Sequence, residues 1–205
     1  MLEADSPHKT VVAIHDATRD LIAGLQKRDP NAQAQLYEQY GAQIHRYAAR
    51  RLGDTELAQD LLVQVMVEAN RNITRFNPRI STLRAWLFGI AHRQITDELR
   101  QRSRRKTPPA SSQVSLEGVA EQRVPGDMAA TTIARLEAQQ QVARIQAQLS
   151  DSEMEVLRLR CVQQFSLTEI ARTIGRSERA VNSLLVRAKQ KAREVLSQEE
   201  DQNER

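Results

Sequence analysis

The stretch Leu167-Thr168-Glu169-Ile170-Ala171-Arg172-Thr173-Ile174-Gly175-Arg176-Ser177-Glu178-Arg179-Ala180-Val181-Asn182-Ser183-Leu184 has the spacing of two helices joined by a tight turn. Ile170 and Ile174 lie one helical turn apart and suit burial against a second helix. Ala171 is small where two steeply crossing helices need their backbones close. Gly175 falls where the turn needs a positive φ, which glycine adopts without steric cost. Ser177 is placed to cap the second helix, whose inner face is Val181, Leu185 and Ala188. An ordinary helical hairpin with a polar outside shares some of these features. The constrained positions taken together favour a DNA-binding helix-turn-helix from about Leu167 to Lys191. Its outward residues are Arg176 and Ser177 at the turn, then Glu178, Arg179, Asn182, Ser183 and Arg187. Asn and Arg can read base edges bidentately, and Ser and Arg can hold phosphates.

Upstream of this motif, Ser150 caps a helix and Glu153 completes a capping box. Met154, Val156, Leu157 and Leu159 form the apolar side of that helix, and Cys161 reads as a packing residue on it. Helical spacing also joins Ile133, Leu136, Val142, Ile145 and Leu149. These elements define a domain over 130–196, followed by an acidic tail, 197–205, with Glu199, Glu200, Asp201 and Glu204. Before it, 106–129 is rich in Ser, Pro, Gln and Arg without a sustained period and reads as a flexible linker.

The first half begins with a polar, flexible arm, 1–18. From 19 to 105 the pattern is helical. Leu21, Ile22 and Leu25 form a short stripe, and Asp29-Pro30 marks a turn with proline at the start of the next helix. Ala34, Leu36, Tyr37, Tyr40, Ile44 and Tyr47 then follow at three- and four-residue steps. Gly53-Asp54 breaks that helix, and Asp54 caps another carrying Leu57, Leu61, Leu62, Val65, Met66 and Ala69. After Phe76-Asn77-Pro78, a last helix starts near Ser81 or Thr82. It turns Leu83, Trp86, Leu87, Ile90, Ala91, Ile95 and Leu99 inward, and it ends in Arg100, Arg102, Arg104, Arg105 and Lys106. The fold class is therefore all-α: two small helical domains joined by a flexible linker, the C-terminal one containing the helix-turn-helix.

Aromatic residues are only 3% of the 205-residue chain, in keeping with helix over strand. The net charge of +4 and the pI near 9.6 are too moderate to identify an anionic partner alone. The single cysteine excludes an intrachain disulfide and fits a reducing compartment. No apolar run approaches the roughly 20 residues that span a bilayer, and no signal peptide is evident, so a cytoplasmic protein without membrane insertion is expected. His8, His15, His45 and His92 are scattered without metal-ligand spacing, and no glycine-rich phosphate loop occurs. Neither an enzyme nor a metal or other cofactor is expected.

Trp86-Leu87, Ile90-Ala91, Asp97 and Arg100 on one long helix, followed by a linker and a helix-turn-helix, resemble the sigma factors of bacterial RNA polymerase. The resemblance is to the compact extracytoplasmic-function (ECF) group, over roughly 20–105 and 130–195. It implies that the chain binds core RNA polymerase and promoter DNA and directs transcription initiation. The helix from Glu56 to Asn70 would dock on the polymerase through Glu56, Leu57, Asp60, Leu61 and Gln64. The −10 element would meet Asn77, Arg79, Ser81 and Thr82 in the loop, and His92, Arg93, Thr96, Asp97, Arg100 and Arg104 on the next helix. That loop would capture a flipped base, and the basic residues near 100–106 would hold phosphates. The −35 element would meet the outward helix-turn-helix residues.

Departures from the family pattern carry information. The docking helix reads Leu57-Ala58-Gln59-Asp60 and Val63-Gln64 where relatives carry several acids, and only Asp60 is retained. A phosphate on Thr55 would restore negative charge at that helix's N-terminus, where the dipole favours it. This makes the chain resemble ECF sigma factors switched by a Ser/Thr kinase; an anti-sigma factor is the other regulator the resemblance allows. Arg93 stands where relatives have Asn, and Asn182, Leu184 and Val186 replace residues that are often basic or His. The rival reading is a stand-alone helix-turn-helix regulator that binds duplex DNA without polymerase.

Overall fold

The structure, a computed structural model, describes residues 18–105 and 141–203, with side chains through residue 197. The N-terminal arm, the linker, Ile133 and Leu136, and the side chains of the acidic tail beyond Ser197 lie outside the described residues. The chain divides into two compact units at Val119–Ala120. Both are helical, and no strand occurs among the described residues.

The first unit holds α1 (18–26), α2 (Pro30–Leu52), α3 (Thr55–Asn72) and α4 (Leu83–Arg105). Asp29 Oδ1 accepts from the Asn31 amide at 3.0 Å with Pro30 in the first turn, and α2 stops at Gly53. Asp54 Oδ1 accepts from the Leu57 amide at 3.0 Å and starts α3. A short 3-10 turn, Ile73–Arg75, ends α3, and Thr82 Oγ1 accepts from the Ala85 amide at 3.2 Å to start α4. α2, α3 and α4 pack on one core of Leu36, Ile44, Tyr47, Leu62, Val65, Leu87, Phe88 and Ile95, all buried. The rings of Tyr47 and Phe88 meet at 5.2 Å. Fully burying a leucine- or phenylalanine-sized chain contributes about 1.5–3 kcal/mol.

The structure departs from the sequence reading at five residues of this unit. Tyr37 is 46% exposed and Ala34 is also exposed, because the buried side of α2 runs through Leu36, Tyr40, Ile44, Tyr47 and Ala48. Trp86 is only half-buried; it packs on Phe76, with ring centroids 5.3 Å apart, at the margin of the core. Leu99 is half-buried too. Leu61, read as a docking residue, is 4% exposed and belongs to the core, so it offers no surface to a partner.

The second unit holds α5 (141–148), α6 (Asp151–Leu157), α7 (Leu167–Ile174) and α8 (Glu178–Asn203). Ser150 and Glu153 form the expected capping box, and Ser166 with Glu169 forms a second one that the sequence reading missed. After α6 the backbone widens into a π-helical turn, Arg158–Val162. Cys161 is exposed on that turn, not packed, because the wider turn rotates it off the apolar side. Gly175 closes α7 with φ 67°, and Ser177 Oγ accepts from the Ala180 amide at 3.2 Å to start α8. Val156, Leu159, Phe165, Ile170, Val181, Leu185 and Ala188 make the core. Leu184, counted above among the outward departures, is 4% exposed and joins them.

Gly24 marks a close approach of α1 to the start of α2. A Cβ there would sit 2.7 Å from Ala32 Cβ. Gly24→Ala is expected to destabilise the first unit by about 1–3 kcal/mol through overpacking, read from urea unfolding by Trp86 fluorescence. Gly175 has open space around it but a left-handed backbone. Gly175→Ala is expected to cost about 1 kcal/mol through backbone strain alone. A Gly24→Ala variant as stable as the parent would show that α1 moves aside without loss.

Candidate nucleic-acid interface

On α8 and the turn before it, Arg176, Ser177, Glu178, Arg179, Asn182, Ser183 and Arg187 are all exposed. They sit at one- and four-residue steps, so the turn and the first three helical turns present them as one face. Their hydrogen-bonding capacity is unequal. Ser177 Oγ is engaged as the cap, and Ser183 Oγ donates to the Arg179 carbonyl at 2.9 Å. Arg176 Nη2 donates to Ser152 Oγ at 3.3 Å, which ties the turn to α6. Glu178, Arg179 and Asn182 carry the first turns of the face, and Val186, 57% exposed, adds an apolar spot beside Arg187.

Sequence reasoning missed the charge behind this face. Glu153 is 3% exposed, yet it is a carboxylate. Its Oε2 accepts from Lys191 Nζ at 2.8 Å and from the Ser150 amide at 3.0 Å. The ammonium of Lys191, then the amide of Ser150, lower its pKa from 4.5 to about 2 against the opposing effect of burial. A second carboxylate, Glu155, is also 3% exposed and pairs with Arg158 at 3.2 Å. The capping box signalled the role of Glu153 at the helix start. Nothing local in the sequence linked it to Lys191, 38 positions away.

In the first unit, the loop from Asn77 to Thr82 is folded on its own polar groups. Asn77 Oδ1 accepts from the Arg79 amide at 2.9 Å, and the Asn77 carbonyl accepts from the Ile80 amide at 3.0 Å. Asn77, Arg79 and Thr82 are exposed and Ser81 is half-buried. Ile80, 55% exposed, is an apolar residue at the tip that sequence reasoning passed over.

Along α4, Arg93, Asp97, Arg100 and Arg104 are exposed and His92 and Thr96 half-buried, at the spacing of one ridge. His92 Nδ1 is 3.2 Å from Tyr47 Oη, which orients the ring, and Thr96 Oγ1 donates to the His92 carbonyl at 2.7 Å. Arg93 Nη2 donates to Glu68 Oε1 at 2.6 Å, so this cation is shared with α3. Arg102, grouped above with the phosphate-holding cluster, turns away from the ridge. It donates to the Leu52 carbonyl at 3.3 Å, to Asp54 Oδ2 at 3.3 Å and to Glu98 Oε1 at 3.1 Å. It clamps the end of α4 to the α2–α3 turn. Asp54 is held below the usual carboxylate range by the Leu57 amide and, after that, by Arg102.

On α3, Glu56, Asp60 and Gln64 are exposed one turn apart, with Leu57 half-buried beside them. Val63 and Val67, 51% and 43% exposed, give the face an apolar strip. Thr55 is exposed in the first turn, next to the cap Asp54. Among the described residues no group of three His, Cys, Asp or Glu could hold a metal ion. No helix among them is long and apolar enough to cross a membrane.

Residues 36–105 match the sequence profile of sigma-70 region 2, and residues 139–191 match that of sigma-70 region 4. The chain is 30% identical to the RNA polymerase sigma factor YlaC of Bacillus subtilis, over 75% of this chain and 86% of YlaC. The chain belongs to the sigma-70 family. Its other relatives place it in the ECF group: it is 27% identical to the ECF sigma factor BldN of Streptomyces coelicolor, over 88% of this chain and 67% of BldN. Of solved structures, it is similar to CnrH in complex with the cytosolic domain of CnrY, at a TM-score of 0.60 and 26% identity, covering 88% of this chain and 97% of CnrH. The sigma factor RpoE of Bartonella quintana, solved with the anti-sigma factor NepR, shares the fold at a TM-score of 0.55 and 19% identity, over 80% of this chain and 96% of RpoE. As an ECF sigma factor, the protein binds core RNA polymerase and directs promoter recognition and transcription initiation.

The low pKa of Glu153 has a sign. Stability from this carboxylate is fully present above pH 4.5, its ordinary value, and is lost as the pH falls toward about 2. Protection of the Val156 and Leu159 amides, relative to their free-peptide exchange at each pH, should therefore fall through that window in the wild-type chain. Glu153→Gln should flatten this part of the acid limb; a Gln variant with the same acid profile would mean that another group governs it.

Proposed function

We propose that this ECF sigma factor grips its promoter at two places. The Asn77–Thr82 loop and the α4 ridge take the −10 element, and the outward face of α8 takes the −35 element. What carries the reading is that each family-matched region presents several exposed Arg and an exposed Asn: Asn77, Arg79, Arg93, Arg100 and Arg104 in the first, Arg176, Arg179, Asn182 and Arg187 in the second. In the first unit, Asn77, Arg79, Ser81 and Thr82 line the site of an extruded base. His92, Arg93, Thr96 and Asp97 flank it, and Arg100 and Arg104 hold phosphates. In the second unit, Arg179 and Asn182 read base edges while Arg176, Ser177 and Arg187 hold the backbone, with Glu178 set to accept from an exocyclic amine; the Ser183 hydroxyl is already given to the Arg179 carbonyl. The α3 face of Glu56, Leu57, Asp60 and Gln64 docks on core polymerase. These partners locate its action in the cytoplasm.

Docking is the regulated step in this reading. The α3 face keeps few acids and exposes Val63 and Val67, so its attraction to a basic partner is weak. Phosphorylation of Thr55 by a Ser/Thr kinase adds about −1.5 to −2 charge at the helix N-terminus. An anti-sigma factor is the second regulatory reading, supported by the apolar strip that Val63 and Val67 expose on α3.

Transcription in vitro tests the main reading, on promoters mapped after overproduction. Purified core polymerase should start at those promoters only when the protein is added. A stand-alone regulator would instead bind the duplex unaided and yield no new start with core enzyme. Asn182→Ala should weaken the −35 contact by about 1–3 kcal/mol, roughly 5- to 150-fold in promoter use. Promoter output from Thr55→Ala cells should fall toward background under inducing conditions; unchanged output would sink the kinase reading.

A further inference from the structure

Two cations of α8 face one buried carboxylate at unequal distance. Oε2 of Glu153 accepts from Lys191 Nζ at 2.8 Å, from the Ser150 amide at 3.0 Å and from Ser150 Oγ at 3.0 Å. Its Oε1 stands 3.9 Å from Arg187 Nε, within ion-pair range but too far for a hydrogen bond. The exposures divide the same way: the Lys191 side chain is 39% exposed and that of Arg187 is 62%. Lys191 is committed to Glu153, whereas Arg187 leans toward it and still reaches solvent.

We infer that Lys191 is a positioning residue for promoter binding. By neutralising Glu153 it leaves Arg187 available to a DNA phosphate. The reason lies in the burial of the carboxylate, which requires a paired cation and hydrogen bonds. When Lys191 is removed, Arg187 is already within 3.9 Å, one helical turn back on the same face of α8. A small rotamer change closes that gap, and the planar guanidinium then bonds Glu153 through its fork. A guanidinium held by a buried carboxylate no longer reaches the DNA backbone. One phosphate contact is lost through a residue that itself touches no DNA. The inference rests on the reading of Arg187 as a phosphate contact.

The test is the salt dependence of promoter binding by holoenzyme assembled from core polymerase and the full chain. Arg187→Met should reduce the slope of log affinity against log salt by about 0.9, one phosphate contact. Over a fourfold rise in salt this is roughly 3.5-fold less loss of affinity. Lys191→Met should reduce the slope by the same amount, and the Lys191→Met, Arg187→Met double variant no further. Glu153→Gln placed in the Lys191→Met chain should restore the wild-type slope, because no buried charge remains to capture Arg187. Lys191→Arg should retain it. Additive slopes in the double variant, or no rescue by Glu153→Gln, would overturn the inference while leaving Arg187 as a DNA contact. An unchanged slope in Arg187→Met alone would overturn the Arg187 reading and the inference with it.

Discussion

Six of the described helices begin on a side-chain oxygen that accepts from a first-turn amide. Asp29, Asp54, Thr82, Ser150, Ser166 and Ser177 start α2, α3, α4, α6, α7 and α8 in turn. A helix leaves its first amides without internal partners, and in elements as short as α6 and α7 that loss is a large fraction of the bonding. The cap fixes where a helix starts, and the start fixes which residues face the core. Ser177 gives Val181, Leu184 and Leu185 to the interior and leaves Arg179, Asn182 and Ser183 outside. Shifting that cap by one residue would rotate the whole face by about 100°.

Carboxylates held by arginine and lysine then join the elements that the caps have started. Asp54 both caps α3 and receives Arg102 from the end of α4. Glu68 of α3 receives Arg93 and Gln94. Glu153 caps its own helix start and receives Lys191 from α8. Exposed pairs of this kind contribute at most about 1 kcal/mol, so the Glu68–Arg93 pair can yield Arg93 to another anion at small cost. Glu153 differs because its side chain is almost out of water. Its pairing decides where neighbouring cations can go, which makes a folding contact relevant to DNA.

Much of this was legible in the sequence. The helix-turn-helix, its Gly175 turn, the Ser177 and Asp54 caps, the Ser150–Glu153 box and the all-α class follow from local rules: spacing, backbone freedom and capping chemistry act within a few residues. Where the reading failed, the local signal was ambiguous. Leu61 and Leu184 look like face residues by family position, but helix rotation puts both in the core. Trp86, for all its size, sits at a margin against Phe76, and the π-helical turn moved Cys161 outward. A basic run from Arg100 to Lys106 looks uniform as a string, yet Arg102 bonds the α2–α3 turn.

The sequence by itself determined the main helices and their order, because periodicity and caps are encoded within one or two turns. Only the tertiary structure decided which cations are held by partners of their own chain. Arg102 is held by Leu52 and Asp54, Arg93 is shared with Glu68, and Lys191 is committed to Glu153, each through a partner tens of residues away. A cation committed to a buried carboxylate is withheld from other anions, whereas one in an exposed pair can still be yielded, and which case holds depends on distances that folding alone creates.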